Sequence, residues 1–184
     1  WAQDDPSQSL AFQYYNNQEY EKAASVFDEL YKKDESSKLF YQYFLNSLLY
    51  IEDYKQAEKL AKKRAKAFPY DLNYLVDLGH VYQKAGDKAA AENTFDEAIE
   101  RLSRNQSQVT ALANAFNMYG MTSRAAQTYE RAQELMNNNV VFAIELADIY
   151  ERSNQPEKAI DSYIAYLQVN RQNQQLVKNK LQEL

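Results

Sequence analysis

The fold is decided by a segment in the middle of the chain, residues 78–95, which reads LGHVYQKAGDKAAAENTF. It opens with a large apolar residue directly before a glycine, and the aromatic residue Tyr82 follows about one helical turn later. A glycine–aspartate pair then separates this stretch from Ala91 and, four residues further on, Phe95. Because each stretch places its apolar residues on one helix face, the segment predicts two short helices joined by a tight turn.

The same order of residues recurs at intervals of 34 along the chain. Each recurrence carries an alanine: Ala23, Ala57, Ala91, Ala125 and Ala159. Two adjacent positions before each alanine hold a large and then a mostly small residue: Leu10-Ala11, Phe44-Leu45, Leu78-Gly79, Leu112-Ala113 and Leu146-Ala147. Aromatic residues dominate two further positions: Tyr14, Leu48, Tyr82, Phe116 and Tyr150, then Phe27, Ala61, Phe95, Tyr129 and Tyr163. A series in one constant phase indicates tandem repeats.

This order resembles the signature of the tetratricopeptide repeat (TPR), and the resemblance covers residues 7–171 as five consecutive units. It implies an all-α fold, a right-handed superhelical solenoid of antiparallel helix pairs. Two departures stand in the second unit. Leu45 replaces a small residue, so the two helices of this unit are expected to sit slightly apart, and Arg64 occupies an inter-helix position that is normally small.

The repeat phase sets the expected boundaries. We predict a single domain over residues 7–184, with units at 7–37, 38–71, 72–105, 106–139 and 140–172 and a final helix over 173–184 that caps the array or opens a sixth unit. First helices are predicted at 7–16, 39–51, 73–85, 107–119 and 141–152. Second helices are predicted at 19–33, 53–67, 87–102, 122–136 and 156–169. Asp53 and Asp87 are expected N-caps, Gly86 a helix end and Pro156 a first-turn residue.

Composition argues against several functions. The net charge of −5 disfavours binding to nucleic acid, and no apolar run approaches the roughly 20 residues that span a bilayer. With one histidine, no cysteine and three isolated glycines, the chain has no catalytic triad, metal-ligand set or phosphate loop. We therefore predict no catalytic residues, cofactor or metal site.

The first residues carry a separate expectation. Residues 1–6 are predicted to be a disordered leader remnant, because Trp-Ala-Gln-Asp-Asp resembles the junction after a bacterial secretory signal. The expected location is the bacterial envelope, in the periplasm or associated with a membrane. The alternative is that Trp1 marks a sequence boundary that is unrelated to secretion.

The resemblance also implies a binding surface, because first helices of TPR arrays line a concave groove that holds a partner segment. The expected groove residues are amides, aromatic residues and one histidine: Phe12, Tyr15, Asn46, Tyr50, Asn73, His80, Asn114, Asn117 and Met118. Asn46, His80 and Asn114 occupy equivalent positions, and amide side chains there suit an extended peptide backbone. The cationic residues of the carboxylate clamp found in chaperone-binding TPR proteins are missing, so we expect no binding of chaperone tails.

The sequence thus predicts a protein–protein interaction scaffold or adaptor for a protein or peptide segment, part of a longer envelope protein. Two alternatives stay open. The chain could be a self-assembling structural module, which a concentration-dependent mass would reveal, or a regulatory domain tethered to a further region. The sequence does not indicate the oligomeric state.

Overall fold

The computed structural model describes residues 6–138 and 140–183, in which eleven α-helices and one 3₁₀-helix occur and no strand. The helices are α1 (Pro6–Asn16), α2 (Tyr20–Lys33), α3 (Lys38–Tyr50), α4 (Tyr54–Ala67), α5 (Asn73–Lys84), α6 (Lys88–Glu100), α7 (Gln106–Met118), α8 (Thr122–Met136), α9 (Ala143–Arg152), α10 (Pro156–Val169) and α11 (Gln174–Glu183). The 3₁₀-helix is Arg171–Asn173. Five helix pairs therefore follow the five predicted units.

The predicted helix ends agree with the structure to within about two residues. Helix α1 begins at Pro6, because proline suits the first turn of a helix. This corrects the prediction of disorder at Pro6, while residues 1–5 lie outside the described part of the chain.

The chain divides into two compact units. The first comprises Trp1–Pro69 and Asp77–Glu92, and the second comprises Tyr70–Val76 and Asn93–Leu184. In the first unit α2 packs against both α1 and α3, and in the second α8 packs against both α7 and α9. The organisation as a single domain stays a prediction.

The turn inside each helix pair follows one hydrogen-bonding scheme at all five recurrences. One residue adopts a left-handed conformation, with φ between 55° and 86°: Gln18, Glu52, Gly86, Gly120 and Asn154. The N–H of the next residue donates to the carbonyl oxygen five positions earlier at 2.8–3.0 Å: Glu19 to Tyr14, Asp53 to Leu48, Asp87 to Tyr82, Met121 to Phe116 and Gln155 to Tyr150. This is a Schellman motif, which ends the first helix and aims the chain into the second.

The predicted alanine series lies at the centre of the packing. All five alanines are at most 1% exposed: Ala23, Ala57, Ala91, Ala125 and Ala159. The residues four positions later are buried as well: Phe27, Ala61, Phe95, Tyr129 and Tyr163. Small side chains at these sites allow close approach of the paired helices, and the following rings fill the space beside them.

The predicted helix-start residues are confirmed. The Asp53 and Asp87 carboxylates accept hydrogen bonds from the N–H groups of Gln56 and Ala90, each at 3.0 Å, and Pro156 lies in the first turn of α10. These caps satisfy N–H groups that have no partner inside the helix.

Helix α11 forms where the sequence predicts a final helix. Val177 is fully buried against Ala147 and Tyr163, and Lys180 lies 3.5 Å from the carboxylates of Asp148 and Glu151. The prediction that Leu181 and Leu184 share the apolar face concerns side chains outside the described set.

The second helix pair contains both departures from the repeat pattern, Leu45 and Arg64. The slight separation of α3 and α4 that Leu45 leads us to expect stays a prediction. Arg64 is 1% exposed and lies in this pair. Its guanidinium donates to the carbonyl oxygens of Glu35 and Ser36 and lies over the rings of Tyr41 and Phe68. The buried cation thereby ties α4 to the α2–α3 connection.

Candidate partner-binding site

Aromatic side chains of the first three helices gather at one surface of the first unit. We call this cluster the aromatic patch, and its members are Phe12, Tyr15, Tyr20, Tyr43 and Tyr50. Phe12 and Tyr15 each meet the Tyr43 ring edge-to-face, with centroids 4.8 Å apart, and Tyr20 stacks on Tyr50 at 4.2 Å. These arrangements are the ones that aromatic quadrupoles favour.

The aromatic patch rests on the buried core and reaches solvent. Phe27, which is fully buried, stacks on Tyr43 at 5.3 Å and meets Phe12 edge-to-face at 5.4 Å. Tyr50 is 59% exposed. The patch therefore offers aromatic area that is already held in place, which limits the entropy lost on binding.

Three of the predicted groove residues of the first unit, Tyr15, Asn46 and Tyr50, interact through their polar atoms. Burial and the neighbouring Tyr50 hydroxyl raise the pKa of Tyr15 from 10.0 to about 12, while a hydrogen bond from the Asn46 side chain acts in the opposite direction. Tyr15 is thus a neutral hydrogen-bonding group at physiological pH. The structure brings Phe12, Tyr15, Asn46 and Tyr50 into one neighbourhood, and their role in binding stays a prediction.

Sequence reasoning missed Tyr20 and Tyr43, which complete the patch. A signal was present for Tyr43, since Tyr43, Asn46 and Tyr50 stand at i, i+3 and i+7 and so share one face of α3. Tyr20 begins α2, and a search limited to first helices does not reach it.

His80 is half-buried on α5. Burial lowers its pKa from the usual 6.5, a hydrogen bond with Gln83 opposes this change, and the positive charge of Lys84 adds to it. The imidazole is therefore neutral at pH 7, as expected for a hydrogen-bonding groove residue.

The lowered pKa of His80 predicts a pH-dependent stability. Below pH 6.5 the unfolded chain binds the imidazole proton more readily than the folded chain does, so stability falls as pH drops below 6.5 towards the folded-state pKa and is retained above 6.5. Chemical denaturation at several pH values between about 5.5 and 7.5 measures this slope.

His80 is the one histidine of the chain, so its contribution can be isolated. His80→Gln is expected to flatten the slope in this window. An unchanged slope in the folded variant would assign the effect to carboxylates.

The remaining predicted residues belong to the second unit. Asn114 lines an open pocket of about 560 Å³ between α7 and the start of α9, together with Thr110 and Glu145. Met118 is 71% exposed at the end of α7, and Asn117 beside it is half-buried. Asn73 begins α5, where its backbone N–H donates to the Asp71 carboxylate at 3.3 Å.

Residues 6–138 and 140–183 contain neither a candidate membrane-spanning helix nor a candidate metal cluster. None of the helices there is both long and apolar enough to cross a membrane. No group of three or more His, Asp or Glu side chains in the same ranges is placed to hold a metal ion.

Two sequence profiles described as tetratricopeptide repeat match the chain, one at residues 72–101 and the other at residues 143–176. The chain therefore contains segments that match tetratricopeptide repeats. The matched segments fall on α5–α6 and on α9 through the start of α11.

Known proteins with TPR repeats share modest similarity with the chain. A TPR repeat-containing protein of Methanocaldococcus jannaschii, MJ1428, is 25% identical over 118 residues, which are 64% of this chain and 21% of that protein. This chain thus spans about a fifth of the length of that curated relative.

Three solved structures are similar to this chain over more than 90% of its length. The MamA protein has a TM-score of 0.45 at 14% identity and covers 91% of each chain. The Thermus thermophilus protein TTC0263 has a TM-score of 0.44 at 15% identity over 96% of each chain. YrrB, described as a TPR protein with an unusual peptide-binding site, has a TM-score of 0.41 at 18% identity over 97% of this chain and 91% of its own.

The two profile matches and the helix pairs together confirm the predicted fold class, an all-α array of antiparallel helix pairs of the TPR type. TPR proteins are generally non-enzymatic scaffolds for protein–protein interactions, and the chain has that architecture. Its partner and the residues that contact the partner belong to the proposal below.

Proposed function

We propose that the chain is an adaptor that binds an extended segment of a partner protein on the face of its first helices, with the aromatic patch as the anchor. The observation that carries this proposal is Tyr50, which is 59% exposed yet stacked on Tyr20 at 4.2 Å. Partly exposed tyrosines with fixed rings are frequent hot spots of protein interfaces, because they bury large area at low entropic cost.

The chemistry around the patch defines the kind of segment. The patch rings are neutral, and the first-helix positions beside them are amides: Gln8, Asn16, Gln42 and Asn46. Amide side chains can donate to peptide carbonyls and accept from peptide N–H groups, while the rings take apolar or proline side chains. The proposed partner segment is therefore extended, uncharged at this point and rich in apolar residues.

A selection with a matched control tests this function. A display library of random dodecapeptides would be selected on the immobilised chain, and dissociation constants of the enriched peptides measured for the parent, Tyr50→Ala and Tyr70→Ala. Tyr70 is 88% exposed and belongs to the second unit, so it controls for loss of any surface tyrosine. We expect Tyr50→Ala to weaken binding about tenfold and Tyr70→Ala to leave it within about twofold.

Circular dichroism would establish that both variants keep their helical content. Peptides that bind the folded Tyr50→Ala variant as tightly as the parent would refute the patch as anchor. The envelope location and self-assembly stay predictions, which cell fractionation and sedimentation at two protein concentrations test respectively. A tethered regulatory role also stays a prediction, and the full-length sequence would decide it.

A further inference from the structure

We propose a second interaction surface on α4, which binds an acidic segment of a partner protein. One large apolar side chain, flanked by carboxylates in that segment, enters the pocket of this surface. The surface lies mainly on the second helices α2 and α4, with Phe44 of α3 in the pocket lining, and is separate from the aromatic patch. Its parts are a pocket between α2 and α4 and a row of lysines along α4.

Helix α4 carries charge of the opposite sign to the whole chain. Its sequence, YKQAEKLAKKRAKA, has six basic residues and one acidic residue, a net charge of +5, whereas the full chain has −5. A concentration of positive charge on one helix of an acidic protein gives an incoming acidic segment one preferred place to bind.

Half of these cations are already engaged. Lys62 pairs with Glu58, Lys63 pairs with Glu35, and Arg64 is buried against backbone carbonyls and aromatic rings. In the basic run at 62–64, Lys62 and Lys63 are exposed and ion-paired, and only Arg64 is buried.

The other three lysines of α4 form the row. Lys55, Lys59 and Lys66 are exposed and make no ion pair or hydrogen bond among the described residues. They stand at i, i+4 and i+11, which places them within about 40° of one another around the helix axis. Uncompensated lysines in one row can each contact a carboxylate of an extended segment.

The pocket supplies an apolar contact beside this row. It has a volume of about 320 Å³, and the nearly buried side chains of Tyr31, Phe44 and Leu60 line it. Lys59 stands at its rim, where the other charges are the paired Lys32–Asp28 and Lys63–Glu35. The volume suits one large apolar side chain, and Lys59 is the rim charge available to a carboxylate next to that side chain.

This combination favours a peptide over a nucleic acid. Contacts to a phosphate backbone gain nothing from the apolar pocket that borders this row, and the net charge of −5 disfavours a long polyanion. The occupant is thus an acidic peptide segment with an aromatic or long aliphatic residue at its centre.

Fluorescence anisotropy with defined probes tests the proposal. The first probe is the capped, fluorescein-labelled peptide Asp-Glu-Phe-Glu-Asp, the second has Gly in place of Phe, and the third is a ten-residue thymidine oligonucleotide. Because the pocket floor is buried, the anchor is varied on the probe and the protein is varied at exposed lysines. Lys88→Glu on α6 is the matched charge reversal, since Lys88 is exposed and outside the pocket and the row.

We expect saturable binding of the first probe to the parent chain. Its affinity for Lys59→Glu should be at least about fivefold weaker than for the parent, and its affinity for Lys88→Glu should stay within about twofold of the parent value. The glycine probe should bind at least about tenfold more weakly, and added salt should weaken binding of both peptides. Equal binding of the two peptides, oligonucleotide binding as tight as that of the first probe, or insensitivity to Lys59→Glu would each overturn the site. Tyr50→Ala should leave first-probe binding unchanged, so that failure of this site and failure of the aromatic patch are told apart.

Discussion

Replacing Arg64 by alanine is expected to lower the free energy of unfolding by about 2–5 kcal/mol. The side chain is 1% exposed, and its guanidinium carbon lies 4.1 Å from the Phe68 ring centroid and 5.1 Å from that of Tyr41. Alanine would leave a cavity beside two rings and would remove the donors to the carbonyl oxygens of Glu35 and Ser36. Urea denaturation measures this loss. The slope of the free energy of unfolding against urea concentration should be the same for the variant and the parent.

Two further variants separate the causes of this loss. Arg64→Met keeps most of the buried volume without the donors, so it should cost less than Arg64→Ala, and the remainder measures the charged hydrogen bonds. Lys63→Ala removes the neighbouring exposed cation, which pairs with Glu35, and should change stability by about 0.5 kcal/mol or less. A cost at position 64 as small as that at position 63 would contradict the buried role of Arg64.

Arg64 also marks where sequence reasoning stopped short. The repeat phase assigned this position to the interface between helices and identified arginine there as a departure. It could not show what the cation contacts, because its partners are backbone carbonyls 28 and 29 residues earlier in the chain. Contacts of that kind depend on the path of the α2–α3 connection, which carries no repeat signal.

The helices themselves were predictable because alanine and aromatic positions repeat at intervals of 34. In the structure, the left-handed residue of each turn repeats at the same interval. At Gly86 and Gly120 the residue type itself indicates a turn with positive φ. At Gln18 and Glu52 it does not, because glutamine and glutamate rarely adopt positive φ. The repeat phase therefore predicted where the helices end, whereas the left-handed conformation of Gln18 and Glu52 is known only from the structure.

The candidate sites were only partly accessible from sequence. First-helix phase located Phe12, Tyr15 and Tyr50, whose rings meet Tyr43 or Tyr20 in the structure. The pocket on α4 could not be found in this way, since it depends on the spacing between α2 and α4. Pattern reasoning assigns a face to each residue but does not give the distance between two helices.

The register of the whole array can be tested at one alanine. Ala91→Leu is expected to lower the free energy of unfolding by about 1–3 kcal/mol. Ala91 is 1% exposed in the first turn of α6, so the three additional carbons of leucine would have to displace neighbouring atoms. Thermal or urea unfolding measures the change.

Ala89→Leu is the matched control for Ala91→Leu, because it lies two residues earlier on the same helix and is exposed. Alanine and leucine have similar helix propensities, so the control should change stability by about 0.5 kcal/mol or less. Since each repeat contacts mainly its neighbours, hydrogen exchange should show the lost protection of Ala91→Leu concentrated near α5 and α6. Equal costs at positions 89 and 91 would mean that the alanine series does not mark the helix–helix contact, and the repeat register would then have to be reassigned.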